Sequence, residues 1–349
     1  MSIQTVLSKE TTFHEAINQA INKTRLLKTV HYSKFINSEL SHKIIASKFI
    51  NHFQLVEYFY GKSTNNIYEY LKDFDLRKFT IEEDNNEAKI YISFHYGLYR
   101  LIPYLLSKAG KKCIVVRESH GEYELENDFY KYSFINARDS GCYLKILNNL
   151  RNNINVLIFI DINNIENDIL KSQKIKFLEK EVSVLNSVFK FSYRYTYKVA
   201  PLIIYYNEEG KIETKVFENI EKRGEENFDT YSKRCCQMTY KILEKSIYKD
   251  PVQWEQIYQL DTYFQIQNKQ EDEDLQNEFN LNVDYCTVYR IGNTYIVYNS
   301  LNNRQYTIDK HMYILLMILK KKKLKKGIII KILNNKENFE FLRKEKIIC

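Results

Sequence analysis

The sequence predicts an α/β protein: a mixed, mostly parallel sheet flanked by helices, followed by a small C-terminal domain of short strands and helices. Three observations carry this. Apolar runs of strand length alternate with helix-period segments from residue 90 to residue 246, the order that strand–helix–strand units leave in a chain. A polar, acidic stretch, QIQNKQEDEDLQNEF at 265–279, then interrupts the pattern. Beyond it, three short strands with turn signals precede apolar helices, a three-stranded winged-helix pattern. The expected organisation is a large domain over 1–264, an acidic linker over 265–283 and a compact module over 284–349.

The elements follow in order. Residues 10–30 and 36–60 read as helices. Around the second, Phe35, Ile44, Ile45, Phe49, Ile50, Phe53, Val56 and Phe59 recur at helical spacing, the stripe of a core-facing helix. Residues 65–78 read as a short helix, 90–94 as a strand, and 99–108 are apolar at helical spacing. Residues 112–117 form a second strand and 140–152 a helix. Residues 155–161 (NVLIFID) form a third strand, so continuously apolar that both its faces should be buried. A short strand at 182–184, a helix at 187–197, strands at 199–206 and 211–217 and a helix at 229–246 complete the large domain. In the module, 285–290, 294–299 and 304–308 read as strands and 311–319 and 327–335 as helices.

Composition narrows the function classes. Of 349 residues 44 % are apolar, enough to build a core, so disorder is not the default. Glycine (9) and proline (3) are scarce, and neither G-x-G-x-x-G nor G-x-x-x-x-G-K-[ST] occurs, which removes the two common glycine-rich nucleotide cradles. The six cysteines form no C-x-x-C pair and no zinc-finger spacing with histidine; they read as free thiols in a reducing cytoplasm, and no metal site is expected. The start, MSIQTVLSKETTFHEA, lacks the apolar core of a secretion signal, and the longest apolar runs fall far short of the ~20 residues a bilayer requires. The net charge of +8 is uneven: residues 284–349 hold 14 Lys/Arg against 5 Asp/Glu, so the rest of the chain is close to neutral.

One stretch points to chemistry: KIYISFHYGLYRLIP at 89–103, a buried strand, then His95 and Gly97, then an amphipathic segment. Strand ends line crevices in α/β folds, so a histidine there is well placed to act as a base. Three further pieces lie in order behind it: NARDSGCYLKILNNLRNNINVLIFIDIN, VAPLIIYYNEEGKIETKVFENI and DPVQWEQIYQ. Together these four pieces resemble the bacterial lipid A lauroyl/myristoyl acyltransferase family, a branch of the lysophospholipid acyltransferases, over about residues 35–260. The resemblance implies that His95 takes a proton from an acceptor hydroxyl or amine as it attacks a thioester on a carrier protein or coenzyme A. It places Arg138 at the family's arginine, Asp161 at the acid ending the third strand and Gly97 at the close-approach glycine. Arg138 is thereby the second catalytic candidate, and Arg100, Gly97, Arg117 and Asp161 are candidates for substrate binding. No cofactor is implied beyond the acyl-carrier-protein or acyl-CoA donor.

The match departs from the family at Arg100. A carboxylate belongs there to orient the histidine, and an arginine has no acceptor and would depress the imidazole pKa. Two readings follow: an enzyme in which Glu118, Glu122, Asp139 or Asp161 orients His95, or a non-catalytic scaffold that binds peptide or lipid for a partner enzyme. The family's N-terminal apolar helix is also missing, so the acceptor is expected to differ from lipid A.

The module, with VYRIGNTYIVYNSLNNRQYTIDKHMYILLMILKK, resembles the PqqD-like domain that recognises leader peptides of ribosomally made, modified peptides. That resemblance implies a peptide added as a strand at the edge around 304–308, beside the helix at 311–319. Arg304, Tyr306, Ile308 and Tyr313 are its candidate peptide contacts. The lysine run Lys320–Lys323 with Lys325 and Lys326 suits an acidic leader or carrier; nucleic acid ranks last, because the segment available as a recognition helix is apolar and short. The combined expectation is a cytoplasmic protein, with peripheral contact at the inner face of the membrane as an alternative, that transfers a fatty acyl group to a bound peptide. A lipid acyltransferase regulated by its C-terminal domain is a further alternative.

Overall fold

A computed structural model of the protein describes residues 23–60, 87–117, 134–161, 172–260, 264 and 277–349, except 292 and 303. The helix expected at 65–78, the first part of the one at 10–30, most of the acidic linker, Glu118 and Glu122 lie outside the described residues. The chain order is α1 (Lys23–Ile36), α2 (His42–Tyr60), β1 (Ile90–Ser93), α3 (Ile102–Lys108), β2 (Cys113–Arg117), β3 (Phe134–Asn136), α4 (Cys142–Arg151), β4 (Asn155–Phe159), β5 (Ser172–Phe177), β6 (Lys180–Leu185) and α5 (Ser187–Tyr195). It continues through β7 (Val199–Tyr206), β8 (Ile212–Val216), α6 (Phe228–Lys249), β9 (Glu278–Phe279), β10 (Cys286–Ile291), β11 (Thr294–Asn299), β12 (Arg304–Ile308), α7 (Lys310–Leu319), β13 (Leu324–Lys325), α8 (Lys326–Leu333) and α9 (Lys336–Lys344).

These residues divide into two units. The larger runs from Asn51 to Gln265, and the smaller joins residues up to Ile50 with those from Ile266 to Cys349. This corrects the boundary read from the sequence, which assigned everything before 265 to one domain. The reason lies in α1: His31 Nε2 bonds the Asp284 carbonyl at 2.9 Å and its Nδ1 bonds Thr287, tying the helix to the C-terminal residues. The sequence reading also broke the helix between residues 30 and 36, where it is continuous; the interruption falls at 37–41.

In the larger unit a six-stranded sheet has the order β3-β2-β4-β1-β7-β8. Every pair is parallel except β7 with β8. β1 lies inside the sheet and all four of its residues are buried, as its unbroken apolar run requires. Residues in register share a face. Tyr91, Val115, Leu157, Leu202 and Ile204 pack on one side with Leu55 of α2 and Ile102, Leu105 and Leu106 of α3. The opposite side meets α6, where Phe94 and Tyr240 stack edge to face with centroids 6.2 Å apart and the Tyr240 hydroxyl donates to the Ile160 carbonyl at 2.9 Å. The pairing of β1 with β7 stops at Ile92 opposite Pro201, which has no N–H to offer.

β5 and β6 form a hairpin that the sequence reading missed except for its second strand. Its two-residue turn puts Leu178 at φ 50° and Glu179 at φ 64°, without the Asn-Gly pair that usually marks such turns. The Glu244 carboxylate of α6 anchors it, accepting the Leu178 N–H at 2.8 Å. α5 ends on Thr196 at φ 58°, an exposed β-branched residue in the left-handed region. Thr196→Gly is therefore expected to stabilise the larger unit by about 1 kcal/mol, read as a higher urea midpoint.

The smaller unit carries a three-stranded antiparallel sheet, β10-β11-β12, and a two-stranded ribbon of β9 with β13. Leu315, Leu316 and Leu319 of α7, Ile329 of α8 and Phe339 and Leu342 of α9 close a core over Val288, Val297 and Ile308. Asp309 caps α7 by accepting the Met312 N–H at 2.7 Å, and Asn335 caps α9 by accepting the Glu337 N–H at 2.7 Å. No helix among the described residues is long and apolar enough to cross a membrane.

Candidate active site

The parallel pairing of β1 with β4 brings their carboxyl ends side by side, and the chain places His95 two residues after one strand and Asp161 two residues after the other. His95 Nδ1 lies 2.7 Å from Asp161 Oδ1. The His95 backbone N–H also donates to the same carboxylate, at 2.9 and 3.1 Å, so the acid continues the sheet ladder where the strand ends. A third donor is the indole of Trp254, whose Nε1–H reaches Asp161 Oδ2 at 2.8 Å. The Asp161 side chain is fully buried, and this convergence of N–H donors offsets what burying a carboxylate costs.

With an acceptor at Nδ1, that nitrogen carries the imidazole proton and Nε2 carries the lone pair. Among the described residues nothing bonds Nε2. The His95 side chain is 14 % exposed and lines a cleft of about 580 Å³. Burial opposes the imidazolium, but the attraction and hydrogen bond of Asp161, helped by the Glu255 charge, outweigh both burial and the opposing Arg100. The net result is a His95 pKa above its ordinary value.

The closing segment around Trp254 builds this arrangement. It runs antiparallel to the His95 turn through a Tyr96–Trp254 bridge. The Gly97 N–H donates to the Gln253 carbonyl at 2.8 Å, and the Glu255 N–H donates to the His95 carbonyl at 2.8 Å. Gln253 is buried and pairs its side-chain amide with both backbone groups of Tyr206 on β7, at 2.8 and 3.2 Å. A turn held on two sides cannot drift, which fixes the imidazole over the cleft.

No protein-family model matches this chain, and no curated protein matches it.

Of the residues singled out from the sequence, His95 and Arg117 line the cleft. The Arg117 guanidinium sits over the Phe134 ring, 4.1 Å from its centroid. Arg100 turns its Nε to the Tyr99 hydroxyl at 3.1 Å, and that hydroxyl donates to Glu255 Oε2 at 3.3 Å. Arg138 stands exposed on the turn between β3 and α4, next to Ala137, which does line the cleft. Gly97 has a backbone reason for its identity, a φ of 60° against the β7 backbone. Asp139 pairs with Lys145 at 2.6 Å, so of the two candidate acids among the described residues Asp161 is the one brought to His95.

The rest of the cleft wall is mostly apolar: Val116, Ile146, Ile158, Ile160, Leu185 and Phe191 are among its lining residues. Tyr99 and Phe159 flank the imidazole, with ring centroids 4.7 and 5.1 Å from it. The sequence reading assigned no site role to Trp254, Glu255 or Tyr99, although Trp254 and Glu255 lie in the DPVQWEQIYQ piece it had singled out. Trp254 carried a signal, being the single tryptophan of the chain.

In the smaller unit, β12 lies at a sheet edge and leaves one side of its backbone unpaired within the three-stranded sheet. Arg304 is exposed there. Tyr313 is half-buried against Tyr295, centroids 4.7 Å apart. Tyr306 is held by Glu345 and by Asn302, and packs edge-on against Phe341. The Ile308 side chain belongs to the core, so it has no free face to offer a peptide.

Proposed function

We propose that this protein is an acyltransferase in which the larger unit has an acyltransferase-like fold and the smaller is a winged-helix, PqqD-like module that holds a leader peptide. The observation that carries the reading is the His95–Asp161 pair: Nδ1 is held by the carboxylate, Nε2 has no partner among the described residues, and the imidazole lines a mostly apolar cleft. Nε2 takes the proton of an acceptor amine or hydroxyl while that group attacks the carbonyl carbon of an acyl thioester. The tetrahedral adduct collapses, the C–S bond breaks, and the imidazolium returns its proton to the departing thiolate. Asp161 holds the tautomer and stabilises the transient cation, the role that the carboxylate five residues after the histidine would otherwise play. The cleft's volume falls within the range of small-ligand sites, and its apolar wall suits a fatty acyl chain. Arg117 at its wall suits a phosphate of the donor or another anionic group. The donor is a carrier protein or coenzyme A thioester, and the acceptor is the peptide laid along the β12 edge.

Purified protein supplied with an acyl thioester and its cognate peptide should add the mass of one acyl chain to the peptide and release one free thiol. Removal of the leader segment from the peptide should raise KM by about tenfold or more, since edge-strand recognition contributes binding remote from the reacting atoms. Failure to modify any peptide with any thioester, while the peptide still binds, would instead make the protein a scaffold.

A further inference from the structure

A second cleft of about 640 Å³ lies in the larger unit between α6 and the β7–β8 pair. It shares no lining residue with the His95 cleft. Its floor is apolar, built from Pro201, Ile203, Val216, Phe217, Met238 and Ile242. Four lysines line it: Lys215 from β8, and Lys241, Lys245 and Lys249, which recur every fourth residue and so stand on one stripe of α6.

The four lysines are not equivalent. Lys241 is committed to the protein through an ion pair with the buried Glu244 at 2.5 Å. Lys215, Lys245 and Lys249 make no ion pair among the described residues, and all three are exposed. Two of them lean over aromatic rings, Lys249 over Tyr205 and Lys215 over Phe217, each 5.0 Å from the centroid, which fixes their heads near the cleft. One carboxylate, Glu218, lines the cleft with them. Nearby Glu213 is taken up by the Tyr205 hydroxyl at 2.7 Å and by Asn207 at 3.0 Å. Three exposed lysines with no ion pair among the described residues thus stand around an apolar floor, with Glu218 at the lining and Glu213 and Asp250 close by.

We propose that this cleft is a separate binding site for an amphiphilic anion, a single apolar chain bearing a phosphate or carboxylate head, with the chain on the Ile203–Met238–Ile242 floor and the head against Lys215, Lys245 and Lys249. Tyr96 lines the same cleft and its hydroxyl donates to the Ser246 and Asp250 carbonyls at 2.8 and 3.0 Å, so a ligand here touches the residue that follows His95. The site does not depend on acyl transfer. Binding without turnover leaves it standing, and turnover without binding at this cleft removes it alone.

The test is calorimetric titration of the full chain with dodecyl phosphate, kept below its micelle-forming concentration. Saturable binding is expected, weakened about tenfold or more by the exposed double substitution Lys245→Glu/Lys249→Glu and by the floor-filling Met238→Trp. Leu185→Trp, which fills the His95 cleft, should leave it within twofold. Inorganic phosphate should bind at least tenfold more weakly than dodecyl phosphate. Phosphatidylglycerol vesicles separate the two sources of such a head: lysine-dependent binding to vesicles means a membrane lipid, and binding of dodecyl phosphate alone means a free amphiphile. The proposal is overturned if dodecyl phosphate does not bind, if the double substitution leaves its affinity unchanged, or if only Leu185→Trp abolishes it.

Discussion

His95→Ala is expected to lower the rate of the proposed acyl transfer by about 10²–10⁴-fold, the usual worth of a general base. Asp161→Asn should cost nearly as much. Asparagine keeps the volume but turns an amide N–H toward one of the donors that now converge on the carboxylate, Nδ1 of His95 among them. The imidazole then exchanges its tautomer and Nε2 carries the proton instead of the lone pair. Because the two residues act as a unit, the double variant should be no slower than His95→Ala alone. Losses that multiply would mean that Asp161 acts elsewhere. The comparison is made with kcat and KM measured separately: a base and its orienting acid move kcat, and donor binding should hold.

Gly97→Ala is expected to destabilise the larger unit by about 2–4 kcal/mol, a fall in urea midpoint of about 1–2 M. At φ 60° any side chain is strained, and a Cβ at Gly97 would overlap the Ile204 carbonyl oxygen and lie 2.8 Å from the Tyr205 Cα. Both obstacles are backbone of β7, paired to β8 and bonded to Gln253, so neither can yield cheaply. The turn that presents His95 is pressed directly onto the sheet at this point. Gly97→Ala that still folds should lose activity as well, since the Gln253 and Glu255 hydrogen bonds to the turn depend on the same close approach. A variant with unaltered midpoint would show that the turn is not so confined.

The large elements were readable because burial leaves a pattern. The strand at 199–206 and those at 294–299 and 304–308 have the limits read from the sequence, and the runs at 90–94 and 155–161 end one and two residues earlier than read, at Ser93 and Phe159. Other elements left weak patterns. α9, KENFEFLRK, buries only Phe339 and Leu342 among charged neighbours. β3 is three residues long and exists by pairing with β2. The β5–β6 turn uses Leu178 and Glu179 where turn residues are usually small or polar, held by a carboxylate 66 positions later.

The site was readable by halves. A histidine at a strand end was a candidate base on local grounds. That Asp161 serves it depends on β4 lying beside β1 rather than beside β3, a matter of sheet order that no local spacing encodes. Arg100 was anomalous only against the expected family pattern. In the fold it answers the Tyr99 hydroxyl, while the carboxylate comes from another strand.

The most direct test of the dyad is the pH dependence of acyl transfer in the wild type and Asp161→Asn. A base with an elevated pKa is protonated at low pH, so wild-type kcat/KM should rise through one inflection above the ordinary histidine value and level off at higher pH. Removal of the Asp161 charge should carry that inflection to lower pH, together with a lower plateau. Superimposable inflections in the two proteins, or a rate that ignores pH across the histidine range, would contradict the assignment of His95 as a base tuned by Asp161.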